Sequence, residues 1–253
     1  WAQLMKEKFN AKSDRSLKLR FHTQTAGFSL TAQQPQNNIS RTAFQALAAV
    51  LGGTQSLHTN SMDETLCLPS QEAAEIALRT QQLIGFETGV TNVVDPLGGS
   101  WYVEELTNKM EKEAYKYFSK IDELGGVIPA IEMGYFQREI AEAASDYQRR
   151  VDSKRRVVVG VNEFTKNDEE IDIPILEIRK EVQNEQIEGL KLLRGKRNNK
   201  VVISKLRAIT DASRTKENLI PLIIDAAQAH ATLGELVDSM KVVFGEWQET
   251  AVV

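Results

Sequence analysis

The residues with the most chemical reach fall in two short polar runs. The first, His22-Thr23-Gln24-Thr25-Ala26-Gly27, closes a segment whose earlier part, Leu17 to Phe21, alternates apolar and basic residues as a half-buried strand does. The second, Thr54-Gln55-Ser56-Leu57-His58-Thr59-Asn60, repeats the theme after a Gly52-Gly53 stop. Polar side chains at such positions are costly to bury without partners. They either contact a ligand or satisfy one another in a structural network, and the residue types leave both open. Gly27 either relieves a tight turn or lets a flat ligand approach the backbone. Two neighbouring strands ending in His and Gln point to a shared polar cavity. A catalytic zinc would need three protein ligands in one place, and His22, His58 and Cys67 lack any motif spacing.

Other candidates have plainer readings. Ser61-Met62-Asp63-Glu64 fits a capping box at a helix start, so on the residues alone Glu64 reads as structural. Cys67 falls on an apolar helix face and reads as packing. The basic stretch Lys191 to Lys200, with Arg194, Lys196 and Arg197, lacks interleaved aromatics and reads as a solvated helix end, not a nucleic-acid contact. Phosphate loop, dinucleotide fingerprint and nucleophile elbow are all missing from the sequence.

The elements that must position these residues follow a repeating order. A strand over Leu17 to Gly27 leads through a polar turn into a helix from Asn38 to Leu51. A strand from Thr54 to Asn60 leads to a helix near Asp63 and, after Pro69-Ser70, a long helix to Phe86. A third strand-like segment, Val93 to Val103, carries the turn Asp95-Pro96-Leu97-Gly98-Gly99 and precedes a helix from Thr107 to Ile121. The strand starts lie roughly 35 to 40 residues apart, the scale of a strand plus its crossover helix. This predicts parallel α/β architecture, where ligands bind at the C-terminal strand ends. A barrel of eight such units needs about 200 residues or more. Three units are present, so a barrel would draw its other strands from polypeptide outside this sequence.

After residue 121 the pattern changes. Gly125-Gly126 precedes a helix from Ile128 to Arg150, a charged connector from Asp152 to Arg156, a β-branched strand over Val157 to Val161 and an acidic loop from Asn167 to Asp172. The remainder reads as mainly helical, with Asn218 as a cap, Pro221 in a first turn, and Thr232 with Glu235 as a capping box. The expected division is therefore 1–121, strand-and-helix units, and 122–253, a helical extension.

At 253 residues, with 42% hydrophobic and 26% charged, the chain can bury a sizeable core. A net charge of −4 argues against nucleic-acid or anionic-membrane binding. One cysteine excludes an intrachain disulfide and suits a reducing compartment. The apolar run Leu219 to Ile224 is far short of the ~20 residues that span a bilayer. A cytoplasmic protein without a membrane segment is expected.

The run His22-Thr23-Gln24-Thr25-Ala26-Gly27-Phe28-Ser29-Leu30 with Asn37-Asn38 resembles the catalytic barrel of the adenosylcobalamin-dependent acyl-CoA mutases, the methylmalonyl-CoA mutase family. So do Gly52-Gly53-Thr54-Gln55-Ser56-Leu57-His58-Thr59-Asn60, Asp63-Glu64, Leu68-Pro69, Val94 to Tyr102, Val159-Gly160-Val161-Asn162 and Val243 to Glu246, in the same order. The resemblance implies an α/β fold, namely the C-terminal part of a (β/α)8 TIM barrel, about strands six to eight, over 1–121, followed by the extension over 122–253 packing on the barrel or a partner subunit. It implies an isomerase, with radical rearrangement of an acyl-CoA, first of all methylmalonyl-CoA to succinyl-CoA. Isobutyryl-CoA and 2-hydroxyisobutyryl-CoA are the alternative substrates, and a non-catalytic binding or assembly module is the alternative role.

In that family the positions of His22 and Gln24 line the cavity between corrin and substrate. That of Gly27 lies against the corrin, and Gln55 is a polar neighbour. Those of Glu64, Thr65 and Leu68 contact the cofactor, Glu64 through ribose hydroxyls, although the family often has alanine where Thr65 stands. The substrate-clamping tyrosine, arginine and histidine, and the Asp-x-His-x-x-Gly motif that ligates cobalt, have no counterpart in this sequence. The resemblance therefore implies an enzyme inactive without the remainder of the barrel and a separate cobalamin-binding small subunit, in a homo- or hetero-oligomer.

Overall fold

A computed structural model describes residues 1–167 and 173–249. The chain divides into two compact units, Trp1–Glu177 and Ile178–Val253. Segment 122–177 is thereby grouped with the first unit, beyond the division expected after residue 121. The described residues form a mixed α/β fold, mostly helical, with one small parallel sheet. None of their helices is long and apolar enough to cross a membrane.

In the first unit, α1 (Ala2–Glu7) and α2 (Asp14–Leu17) lead to β1 (His22–Gln24), α3 (Asn37–Leu51), β2 (Ser56–His58) and α4 (Gln71–Glu87). A parallel pair cannot close through a tight turn, and α3 is the crossover that joins β1 to β2. The helix starts follow from local chemistry: the Ser70 hydroxyl accepts the Ala73 amide at 3.2 Å and so starts α4. Buried positions repeat at helical spacing, with Asn38, Thr42 and Ala46 on α3 and Ala73, Ala77, Thr80 and Ile84 on α4. The two helices pack against each other.

Five expectations need correction. Leu17 to Phe21 is not strand; the Ser13 hydroxyl accepts the Ser16 amide and starts α2, so β1 keeps three residues. There is no helix at Asp63: a bonded turn runs there instead, with the Leu66 and Cys67 amides both donating to the Asp63 carbonyl. Val93 to Val103 is not a third strand. Asp95 and Gly99 take positive φ (47° and 78°), a left-handed backbone no strand accepts, and helix α5 (Trp101–Glu123) begins earlier than expected. The sheet consequently has two strands. The helix expected over Ile128 to Arg150 is two helices, α6 (Val127–Glu132) and α7 (Tyr135–Asp152), parted where Gly134 turns left-handed at φ 67°.

Val157 to Val161 forms no strand either. Gly160 (φ 82°) folds the segment back so that Val159 bridges Glu163 alone. The acidic loop expected to follow lies, beyond Asn167, outside the described residues.

The second unit contains α8 (Lys180–Lys196), α9 (Asn199–Ala212), α10 (Ile220–Gln228) and α11 (Leu233–Phe244). Ile209, Ala226 and Leu236 form its buried centre, with Leu206, Leu222, Ile223, Ala231 and Met240 packed around them. Two of the three expected helix signals are in place, while Asn218 stands one residue ahead of Leu219, the N-cap of α10. Pro221 sits in the first turn of α10, the Asn218 side chain accepts the Ile220 amide at 3.1 Å, and Thr232 with Glu235 completes a capping box on α11.

Candidate active site at the strand ends

The parallel register sets His22 beside Ser56 and Gln24 beside His58. Because side chains alternate along a strand, these four residues share one exposed face while Thr23 and Leu57 point to the other. His22 Nδ1 lies 2.7 Å from the Ser56 hydroxyl, which orients the imidazole. Gln24 Nε2 donates to Asn60 Oδ1 at 3.4 Å.

Asn60 is the hub of the cluster and is only 2% exposed. Its amide N–H donates to the Thr25 hydroxyl (2.9 Å), and its Nδ2 donates to the Thr25 carbonyl (3.0 Å) and to Glu64 Oε1 (3.1 Å). The Glu64 carboxylate is thereby carried over Gly27. A Cβ at Gly27 would lie 2.5 Å from Glu64 Oε1 and 3.2 Å from Asn60 Nδ2. Glycine here permits close approach by a carboxylate, which is a different service from relieving a turn.

The neighbouring Asp63 is fully buried and fixes this loop, its Oδ2 accepting the Ser70 amide at 2.9 Å. Burial pushes the Asp63 carboxyl up, but hydrogen bonds from the Ser61 hydroxyl and from the Ser70 amide and hydroxyl outweigh that and hold it below the usual carboxylate range.

A cavity of about 590 Å3 opens on this face, lined by Gln24, His58, Glu64, Cys67, Leu68 and, from α4, Ala77, Leu78 and Gln81. A second cavity of about 570 Å3 lies beside Gly52, Gly53 and the Val93 to Gly98 turn, at the start of β2 and away from the polar strand ends. The first has the mixture a ligand site needs, an apolar wall with a few polar groups aimed in. Its polar residues include a carboxylate, a carboxamide and an imidazole, so it is built to bind and orient through hydrogen bonds.

The whole of this region has known relatives. The methylmalonyl-CoA mutase family profile matches residues 1–246. The chain belongs to the methylmalonyl-CoA mutase family. It is 42% identical over its full length to the 2-hydroxyisobutanoyl-CoA mutase large subunit of Aquincola tertiaricarbonis, covering 45% of that protein. It is 46% identical to the methylmalonyl-CoA mutase of Escherichia coli, over 94% of this chain and 34% of that protein. With the large subunit of Porphyromonas gingivalis methylmalonyl-CoA mutase it shares 46% identity over 98% of the chain and 35% of that protein. The chain thus spans between a third and just under half the length of these relatives.

Measured against the site expected from the methylmalonyl-CoA mutase family, the structure gathers Gln24, Gly27, Glu64 and Leu68, with His22 on the same face of the pair. It does not gather Gln55 or Thr65. Gln55 sits at the start of β2, about 10 Å along the strand from His58. Its amide is occupied by backbone, accepting from the Phe21 amide (2.8 Å) and donating to the Gly53 carbonyl (2.7 Å). Thr65 is exposed outside the cavity.

The capping-box reading of Glu64 also falls, since its carboxylate reaches Asn60 and not the Ser61 backbone. Cys67 is half-buried in the cavity wall, on a turn and not on a helix. His58 and Asn60 belong to the second polar run, although the resemblance assigns them no role, and Gln81 has no signal in the sequence. His58 was readable from strand alternation once paired with Gln24. Gln81 was not: it donates to the Leu57 carbonyl (3.1 Å) and the Thr59 hydroxyl (3.0 Å) from a helix whose facing is a tertiary fact.

Proposed function

We propose that this chain supplies the corrin-facing wall of an acyl-CoA mutase active site, as the C-terminal part of a (β/α)8 barrel over 1–121 with a helical extension over 122–253. The observation that carries this is the Glu64 carboxylate held by Asn60 directly over Gly27 and next to Gln24, in a member of the mutase family. The remaining barrel strands belong to polypeptide outside this chain, which accounts for a parallel pair standing alone with its flanks open.

The residues present fit adenosylcobalamin on chemical grounds. An exposed carboxylate, brought close to the backbone at Gly27, can accept hydrogen bonds from vicinal ribose hydroxyls. When bound, the cofactor supplies a carbon radical by homolysis of its cobalt–carbon bond, and the hard chemistry is its own.

The chain's residues orient and shield. Glu64 would hold the adenosyl ribose. Gln24, fixed by Asn60, and His22, fixed by Ser56, present amide and imidazole to the acyl thioester. Leu68, Ala77 and Leu78 keep water from the cavity wall, which protects a reactive intermediate from side reactions. The cobalt ligand comes from a separate cobalamin-binding domain or subunit. The substrate favoured by the family match is methylmalonyl-CoA, isomerised to succinyl-CoA. The match over the full chain to a 2-hydroxyisobutanoyl-CoA mutase large subunit supports that acyl group as the second reading.

The test is to combine the complete large subunit with its cobalamin-binding subunit, adenosylcobalamin and an acyl-CoA. A cobalt-coupled radical signal and isomerised product are expected. Neither appearing across methylmalonyl-, isobutyryl- and 2-hydroxyisobutyryl-CoA would overturn the proposal.

A further inference from the structure

The turn that carries Gly27 is held from a distant part of the chain. Phe28 meets the Tyr147 ring of α7 edge-on, with centroids 6.2 Å apart, and the Arg156 guanidinium lies 4.8 Å from that same ring centroid. Gln34 Nε2 donates to the Phe164 carbonyl at 2.9 Å, and Arg41 Nη2 donates to the Val159 carbonyl at 2.7 Å. The other guanidinium nitrogen of Arg41 donates to the Thr31 hydroxyl (2.9 Å) and Asn38 Oδ1 (2.8 Å).

Asn38, fully buried, passes the restraint onward. Its Oδ1 accepts the Thr31 amide, and its Nδ2 donates to both the Thr31 carbonyl and the Met62 carbonyl, each at 2.9 Å. Met62 stands two residues before Glu64. The loop after β1 and the loop after β2 are therefore stapled to each other and then to the 157–164 loop.

That remote loop has its own keystone. Asn162 Oδ1 accepts the Val158 amide at 2.7 Å, and its Nδ2 donates to the Val151 carbonyl (2.8 Å) and the Arg156 carbonyl (2.7 Å). One side chain thus fixes the end of α7 and the turn that offers the Val159 and Phe164 carbonyls.

We propose that Asn162 is a positioning residue: it shapes the 157–164 loop into a brace that, through Arg41 and Gln34, sets the corrin-facing loops bearing Gly27 and Glu64 without itself touching a ligand. This rests on the mutase reading of the site.

The test uses the complete large subunit with its cobalamin-binding partner. Asn162→Ala and Arg41→Ala are each titrated with adenosylcobalamin by corrin absorbance, and backbone amide exchange is followed over residues 28–38. Each variant is expected to weaken cofactor binding about tenfold and to speed exchange in that segment. The KM for acyl-CoA and the kcat at saturating cofactor should stay within about twofold. The double variant should be no worse than Asn162→Ala alone, because the loop that Asn162 shapes is what Arg41 holds.

A purely structural role would lower every parameter with the folded fraction and leave the ratio of cofactor affinity to KM unmoved; that result overturns the inference. So does unchanged cofactor binding by a folded Asn162→Ala protein, or by folded Arg41→Ala protein where Asn162→Ala fails to fold. Loss of cofactor binding in the unsubstituted protein would instead defeat the mutase reading itself.

Discussion

The strand ends of the first unit and the Arg197–Glu235 pair of the second both concentrate polar atoms, and they use them in opposite ways. Arg197, its side chain only 6% exposed, grips Glu235 with two guanidinium nitrogens at 2.7 and 2.5 Å and also donates to the His230 carbonyl and Asn199. Glu235 accepts further bonds from the Thr232 amide and hydroxyl. Little hydrogen-bonding capacity is left over. At the strand ends Gln24 and Glu64 each keep one side-chain hydrogen bond among the described residues, both to Asn60, and the rest of each group faces outward. Polar groups that consume one another hold a fold together; polar groups positioned but left open wait for something else.

Substitution breaks this contrast most forcefully at the closed pair. Arg197→Met leaves a partly buried Glu235 with only the more distant and exposed Arg194 guanidinium, 3.6 Å away, and should cost about 2 kcal/mol of stability in urea unfolding, with cofactor affinity unmoved. A cost under about 1 kcal/mol would mean that the pair is no strut.

Acid sharpens the same point. The Arg197 hydrogen bond, against an opposing effect of burial and helped by Thr232, brings the Glu235 carboxyl down to about 2. A depressed folded-state value contributes stability that is fully present above the unfolded value near 4.5 and disappears as pH falls toward 2. The expected loss across that window is on the order of 2 kcal/mol, and Glu235→Gln should flatten this part of the pH–stability curve.

The open cluster should behave in reverse. Glu64→Ala, in the complete enzyme, is expected to weaken adenosylcobalamin binding about tenfold, or ~1.4 kcal/mol, while thermal stability barely changes. Unaltered corrin binding would remove Glu64 from the site.

The smallest effect is expected at Gly27→Ala. Its φ is not in the left-handed region, and the atom its Cβ meets most closely is the end of an exposed side chain, with the buried Asn60 Nδ2 further off at 3.2 Å. Stability should stay within about 0.5 kcal/mol, as for a surface change, while cofactor affinity falls because the carboxylate is displaced.

What was readable in the sequence was local. The period of two that puts His22 with Gln24 on one face, and the three-residue spacing of Thr232 and Glu235, are visible in any short window and both hold in the structure. What was not readable depended on partners far along the chain. Arg197 read as solvated because nothing near it is acidic, yet its partner lies 38 residues away. Gln55 read as part of the cavity because its neighbours are, but its amide reaches back to Phe21. Val93 to Val103 has β-branched residues at its start, yet positive φ at Asp95 and Gly99 overrides their preference for a strand. Glu64 matched a capping box by spacing and lost to Asn60 by geometry.

Gly27 carries one further implication, for sequence drift. Every other amino acid brings a Cβ, and here that atom meets the Glu64 carboxylate at 2.5 Å. A single-base change in this codon that alters the residue therefore moves a charged group elsewhere in the chain, even where the backbone tolerates the newcomer. The position works as a gauge one atom wide, read in where the carboxylate sits and not in stability.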